Sequence, residues 1–211
     1  MAGVKAFNFK VVLLGEGAVG KTSLVIRYIE DKFNDKHVST LQAHFSTKKV
    51  NIDNTRVNLA IWDTAGQERF HALGPIYYRD SNGAVLVYDI TDEDSFQRVK
   101  NWVKELRKTL KDEVSLAIVG NKMDLEKSRV VPLQDAEDYS KSVGAKHYQT
   151  SAKTNKGIDD MFRDLSKRMV EQAKNKPAAT PTSSRTVLAG RSDILVSDTI
   201  PEAQPKTGCC S

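Results

Sequence analysis

The chain has 211 residues, a net charge of +5, 39% apolar and 28% charged residues, which suits one soluble globular domain with an appendage. No stretch reaches the roughly 18 to 20 apolar residues of a membrane span. Basic residues are interleaved with acids, as in Lys104-Glu105-Leu106-Arg107-Lys108, so a solvated helix face explains them and no nucleic-acid partner is expected.

Met1-Ala2-Gly3-Val4-Lys5 carries neither a signal-peptide apolar core nor Gly at position 2 for myristoylation, so synthesis is expected to end in the cytosol. Phe7 to Leu14 is a near-continuous apolar run, as in a central strand buried on both faces of a mainly parallel sheet. Gly15-Glu16-Gly17-Ala18-Val19-Gly20-Lys21-Thr22 follows it, a G-x-x-x-x-G-K-T pattern. Glycines let the backbone wrap a polyphosphate with its N–H groups pointing inward, while the following helix aims its positive end at the same anion. Lys21 is expected to neutralise the β- and γ-phosphates, and the Thr22 hydroxyl to ligate Mg²⁺.

Thr22 to Lys32 reads as a helix with Leu24, Val25, Tyr28 and Ile29 on one face, and Phe33 to His44 as a loop long enough to be functional. Phe45–Asn51 and Arg56–Trp62 flank the turn pair Asp53-Asn54 and predict a hairpin, with Lys48 and Lys49 protecting an exposed edge. Asp63-Thr64-Ala65-Gly66-Gln67-Glu68 and the segment up to Arg79 read as a loop and a short helix. Strands at Ala84–Ile90, Leu116–Gly120 and His147–Thr150 then alternate with helices at Asp94–Leu110, Leu133–Val143 and Ile158–Lys174. The pattern predicts an open α/β fold with its ligand outside the carboxyl ends of the strands. From residue 176 the composition shifts to Pro, Ala, Ser and Thr, so 1–175 is expected to be the folded domain and 176–211 a disordered tail.

Asn121-Lys122-Met123-Asp124 stands just after a strand, where Asp124 can accept two hydrogen bonds from the ring N–H and amino group of guanine. Adenine offers a different pattern at that edge. Alone the tetrapeptide is weak. In order after the phosphate loop and Asp63-Thr64-Ala65-Gly66, and before Ser151-Ala152-Lys153, it favours guanine. The only cysteines, Cys209 and Cys210, are adjacent near the end of the tail and cannot staple a fold.

These motifs resemble the Ras superfamily of small GTPases over roughly Phe7 to Ala173. Trp62-Asp63-Thr64-Ala65-Gly66-Gln67-Glu68-Arg69-Phe70, Tyr77-Tyr78-Arg79 and Cys209-Cys210 are similar to its Rab branch, and Thr40-Leu41-Gln42-Ala43, His71-Ala72-Leu73-Gly74-Pro75 and Gly144-Ala145-Lys146-His147-Tyr148 to endosomal Rabs in particular. The resemblance implies a P-loop GTPase domain: a six-stranded, mainly parallel sheet with one antiparallel edge strand and helices on both faces. It implies nucleotide contacts from Gly15 to Thr22, Ser23, Phe33, Thr40, Gly66, Asn121, Lys122, Asp124, Ser151, Ala152 and Lys153. Thr22, Thr40 and, through water, Asp63 would hold Mg²⁺. Gln67 would orient the attacking water, with Lys21 and Gly66 at the γ-phosphate.

The same resemblance gives Leu41, Gln42, Phe45, Trp62 and Tyr77 as the effector surface, although Leu41-Gln42 replaces the Ile-Gly that most Rabs carry there. Cys209 and Cys210 would each take a geranylgeranyl group. A monomeric GTP/GDP switch is implied, served by an exchange factor, a GTPase-activating protein, a GDP-dissociation inhibitor, a Rab escort protein and GTP-state effectors. Its place would be the cytoplasm and the cytoplasmic face of membranes, the early endosome above all. The rival readings are an ATP-using P-loop kinase or transporter subunit, disfavoured by Asp124, and a GTP-binding module without hydrolysis, disfavoured by Gly17 and Gln67.

Overall fold

The computed structural model describes residues 6–36, 39–66, 74–110 and 113–175; Gln67, the rest of 67–73 and the tail 176–211 with Cys209 and Cys210 lie outside the described residues. Strand β1 (Ala6–Leu14) explains the architecture. Its alternate side chains enter two different cores: Phe9, Val11 and Leu13 pack in one, and Val12 and Leu14 in the other. A stretch covered on both faces needs apolar residues at every position, which is why Val11–Leu14 is unbroken, while Asn8 and Lys10 fall where the strand is not fully covered. Strands β4 (Gly83–Asp89) and β5 (Ser115–Asn121) are buried throughout for the same reason.

The sheet has six strands in the order β2-β3-β1-β4-β5-β6. β1, β3 (Thr55–Asp63), β4, β5 and β6 (Lys146–Gln149) run parallel, and β2 (His44–Ile52) pairs antiparallel with β3 at one edge. Helices α1 (Lys21–Glu30) and α5 (Ile158–Asn175) supply residues to the first core, where Tyr28 and Phe162 stack at 3.9 Å. Helices α3 (Glu93–Leu110) and α4 (Leu133–Ser142), with Tyr78 of the short α2 (Gly74–Tyr78), fill the second. Among the described residues no helix is long and apolar enough to cross a membrane.

The expected elements occur, with ends moved by a residue or two. Helix α1 starts at Lys21 and stops at Glu30, because Asp31 turns left-handed at φ 54° and caps it through an N–H bond to the Arg27 carbonyl. Asp53 and Asn54 both take positive φ, 44° and 64°, as a two-residue hairpin turn matching the strand twist requires. One of the two edge lysines departs from expectation. Lys49 is exposed, whereas Lys48 folds over the Tyr28 ring and donates to the Tyr28 carbonyl, so it ties the edge strand to α1.

Candidate nucleotide site

The phosphate loop and the loops after β3, β5 and β6 leave the carboxyl ends of parallel strands, and antiparallel pairing of His44 with Asp63 brings the Thr40 loop, which enters β2, to the same rim of the sheet. At Gly15, φ is 146° and a Cβ would stand 2.2 Å from the Val87 carbonyl oxygen, so the loop can leave β1 against β4 only without a side chain. The Lys21 ammonium donates to the carbonyls of Gly15 at 2.9 Å and Glu16 at 2.8 Å. Burial pushes it down to about 8, against the pull of Asp63 and Glu16. A cation so desolvated, with two neutral acceptors, lies where an anion is strongly favoured.

Three oxygen-bearing side chains meet beside it. Thr22 Oγ1 is 2.6 Å from Thr40 Oγ1 and 2.6 Å from Asp63 Oδ2, to which it donates. Asp63 is 1% exposed, and its Oδ1 is buried with no hydrogen-bond partner. Burial raises its carboxyl above the ordinary value, opposed by the Thr22 hydrogen bond and by Lys21 and His44. The Thr64 hydroxyl donates to the Leu13 carbonyl at 2.6 Å and pins the start of this loop. Gly66 lies so close to the phosphate loop that a Cβ on it would come within 2.5 Å of both the Glu16 carbonyl oxygen and Lys21 Nζ.

The base end is more tightly cross-linked. Asn121 donates from Nδ2 to the Val19 carbonyl at 2.9 Å, while its Oδ1 accepts from the Thr150 hydroxyl and the Ala152 N–H. Asn121 therefore ties the phosphate loop to the loop after β6. Asp124 is exposed, with Oδ1 held by the Ser151 hydroxyl at 2.5 Å. Lys122, left-handed at φ 65°, pairs with Asp89 at 2.6 Å. Burial works against the charge of Asp89, but hydrogen bonds from Lys122 and Thr91 outweigh it and hold the carboxyl below its ordinary value. Phe33 is half-buried against the α1–α5 core, and Lys153 pairs with Asp35 at 3.4 Å. Ser23 is half-buried at the start of α1, and Gly17, Ala18 and Gly20 complete the phosphate loop.

Beside the site, Phe45 meets Trp62 edge-on at 5.2 Å, and Trp62 lies 6.2 Å from Tyr77. Phe45, Trp62 and Tyr77 of the expected effector surface thus form one cluster, with Phe45 53% and neighbouring Leu41 63% exposed. Gln42 is exposed as well.

Sequence reasoning missed three contributors. Asp89 could have been found as a carboxylate ending an apolar strand. Arg27 had no such signal: it donates to the carbonyls of Ala152 and Asp31, at 2.9 and 2.8 Å, and to that of Lys153, so one guanidinium joins α1 to the base loop. Arg98 of α3, which reaches Glu16, was also silent.

Comparison with known proteins agrees with this geometry. The model of the Ras family matches residues 10–171. Ras-related protein Rab-21 of Mus musculus is 67% identical over 207 residues, covering 98% of this chain and 93% of its own. The protein of that name from Homo sapiens is 67% identical over 208 residues, with 98% and 92% covered, and that from Dictyostelium discoideum 56% over 205, with 97% of each. The parallel sheet, the phosphate loop and these matches together identify the chain as a member of the Ras family of GTP-binding GTP hydrolases, in its Rab branch.

Proposed function

We propose that the chain is a GTP/GDP switch of vesicular membrane traffic whose GTP state is assembled at the Thr22–Thr40–Asp63 corner. The observation that carries this reading is the convergence of two hydroxyls on a buried carboxylate with one orphaned oxygen. Hard oxygen donors in that arrangement fit Mg²⁺, which keeps water in its shell and takes few protein ligands. Thr22 and Thr40 would hold it directly and Asp63 through water; when bound, it supplies charge neutralisation at the β- and γ-phosphate oxygens.

The chain's own residues do the rest. Lys21 offsets phosphate charge, and the loop N–H groups receive the oxygens. Asp124 reads the guanine ring N–H and amino group, the backbone around Ala152 meets the base carbonyl, and Phe33 stacks near the base. Water, oriented by Gln67 with the Gly66 N–H on the γ-phosphate, attacks the γ-phosphorus. The bond to the bridging oxygen breaks, and GDP and phosphate leave. Turnover without a partner is slow, on the order of 10⁻⁴ to 10⁻² per second, the range of related GTPases.

Loss of the γ-phosphate frees Thr40 and Gly66, so partners that bind Leu41, Gln42, Phe45, Trp62 and Tyr77 read the nucleotide. An exchange factor and a GTPase-activating protein set the cycle. Residues 1–175 carry it, and 176–211 tether it to the cytoplasmic face of membranes, the early endosome in particular, through geranylgeranyl groups on Cys209 and Cys210. A GDP-dissociation inhibitor and an escort protein handle those lipids, because two chains hold firmly where one leaves readily.

Single-turnover phosphate release from GTP, with and without EDTA and with ATP as competitor, tests the switch. Hydrolysis that persists without free divalent cation, or equal competition by ATP, would refute it. Intact mass of protein from eukaryotic cells tests the tether: a tail without added mass ends that part.

A further inference from the structure

The motif loops leave α3 without a task at the site, yet its Arg98 reaches the phosphate loop, Nε lying 3.1 Å from Glu16 Oε2. The other oxygen of the same carboxylate, Oε1, accepts the N–H of Gly17 at 3.2 Å. The Glu16 carbonyl accepts from Lys21 at 2.8 Å and is also the atom that a Cβ on Gly66 would strike. Glu16 thus stands among the phosphate-neutralising lysine, the glycine of the loop after β3, and α3.

A carboxylate bonded to a loop N–H sets negative charge on the rim of an anion cradle. Unopposed, it repels a polyphosphate, and repels a triphosphate more than a diphosphate because the former carries more charge. Arg98 is the counter-charge seated on that carboxylate. The pair is part-exposed, 49% for Arg98 and 28% for Glu16, and such pairs contribute little to folding. Its effect falls on the ligand's electrostatic environment.

We infer that Arg98 neutralises and holds Glu16, and so sets how strongly the site prefers a guanosine triphosphate over the diphosphate. Arg98 is a positioning residue here, acting through Glu16 without touching nucleotide. The inference rests on the reading of Gly15–Thr22 as the phosphate cradle.

The test is Arg98→Gln in the full chain, with a non-hydrolysable GTP analogue and GDP each competing against fluorescent GDP in excess magnesium. The ratio of triphosphate to diphosphate affinity is expected to fall about three- to tenfold at low salt. Raising salt from about 0.05 M to about 0.5 M shortens the screening length and should remove most of the difference from wild type. A purely structural role would not respond in that way. Glu16→Gln combined with Arg98→Gln removes both charges and should return the ratio to within about twofold of wild type, by the same Coulomb argument. An unchanged ratio in Arg98→Gln, a shift indifferent to salt, or a double variant as impaired as Arg98→Gln would overturn the inference. Wild-type protein that fails to bind either nucleotide would instead overturn the cradle reading beneath it.

Discussion

His147 should make the fold acid-sensitive in a defined window. It stands on β6 and shares a hydrogen bond of 2.9 Å with the Tyr88 hydroxyl of β4. The bond crosses over β5 at Gly120, where a Cβ would meet the Tyr88 hydroxyl oxygen at 2.6 Å. Burial, aided by Arg129, pushes the imidazole from 6.5 down to about 4. Burial also raises Tyr88, which stays a neutral hydroxyl. Between those two pH values the unfolded chain binds the proton and the folded chain refuses it, so stability falls as pH drops from 6.5 toward 4. From pH 7.5 to 5 the linkage loss is about 2 kcal/mol. With a urea slope of about 2 kcal/mol per molar, the midpoint should move down by about 1 M from this residue alone. Carboxylates add their own pH dependence, so the readout is the difference between wild type and His147→Asn in urea titrations at the two pH values. The variant is less stable throughout, but its loss on acidification should be smaller by about 2 kcal/mol. Equal losses in both proteins, or a His147 ring signal titrating near 6.5 by NMR, would refute the argument.

Four other changes probe neighbouring parts. Gly120→Ala drives a methyl into the Tyr88 hydroxyl and should cost about 1 to 3 kcal/mol; an unchanged melting temperature would mean the two strands shift freely. Lys21→Met removes a buried ammonium whose folded value of about 8 lies below 10.5, a penalty present below pH 8 and relieved as pH rises through 10.5. Nucleotide-free Lys21→Met should therefore melt no lower than wild type at pH 7 while losing nucleotide affinity by at least tenfold, and a large loss of melting temperature would contradict this. Asp124→Asn swaps an acceptor for a donor and should turn preference from guanine toward xanthine nucleotides in a competition assay; retained preference for GTP removes Asp124 from the base. Gln42→Gly frees the backbone and deletes a side chain beside the exposed Leu41, so partner affinity should change while nucleotide affinity does not; identical partner binding by both forms would count against a role in specificity.

The sheet was legible because strand stretches covered on both faces admit no polar interruption, so Val11–Leu14 of β1 and the interiors of β4 and β5 announce themselves as apolar runs. The end of β5 was not, since Asn121 is polar yet still paired in the ladder, opposite Asp89. The motif loops were legible as glycine-, Asp- or Asn-bearing breaks between strand and helix, and the structure gathers them at one rim of the sheet. Arg27, Arg98 and His147 were not, because their meaning lies in partners far along the chain. Arg27 and Ala152 are 125 residues apart, and no local pattern marks such a pair. Gly120 was read as the end of a strand, whereas the structure gives it the separate task of leaving room for the Tyr88–His147 bond.

The two ends of the site differ in a way that suits a switch. At the base end, Asn121 and Arg27 tie β5, α1, the phosphate loop and the loop after β6 through bonds within the protein. Guanine therefore meets a surface already built, and little ordering energy is drawn from base binding. At the γ-phosphate end, the Thr40 hydroxyl is held by its contact with Thr22, and Gly66 packs by its backbone on Glu16. Those contacts are few among the described residues, and a bound triphosphate with its cation would add bonds to the same atoms. In the proposed switch, the difference between GTP and GDP falls on Thr40–Gln42, a described segment with few such contacts. An element moves between two states only as far as the differential contacts of its ligands drive it, so the proposed switch would turn one phosphoryl group into a change of exposed surface at Leu41, Phe45 and Trp62.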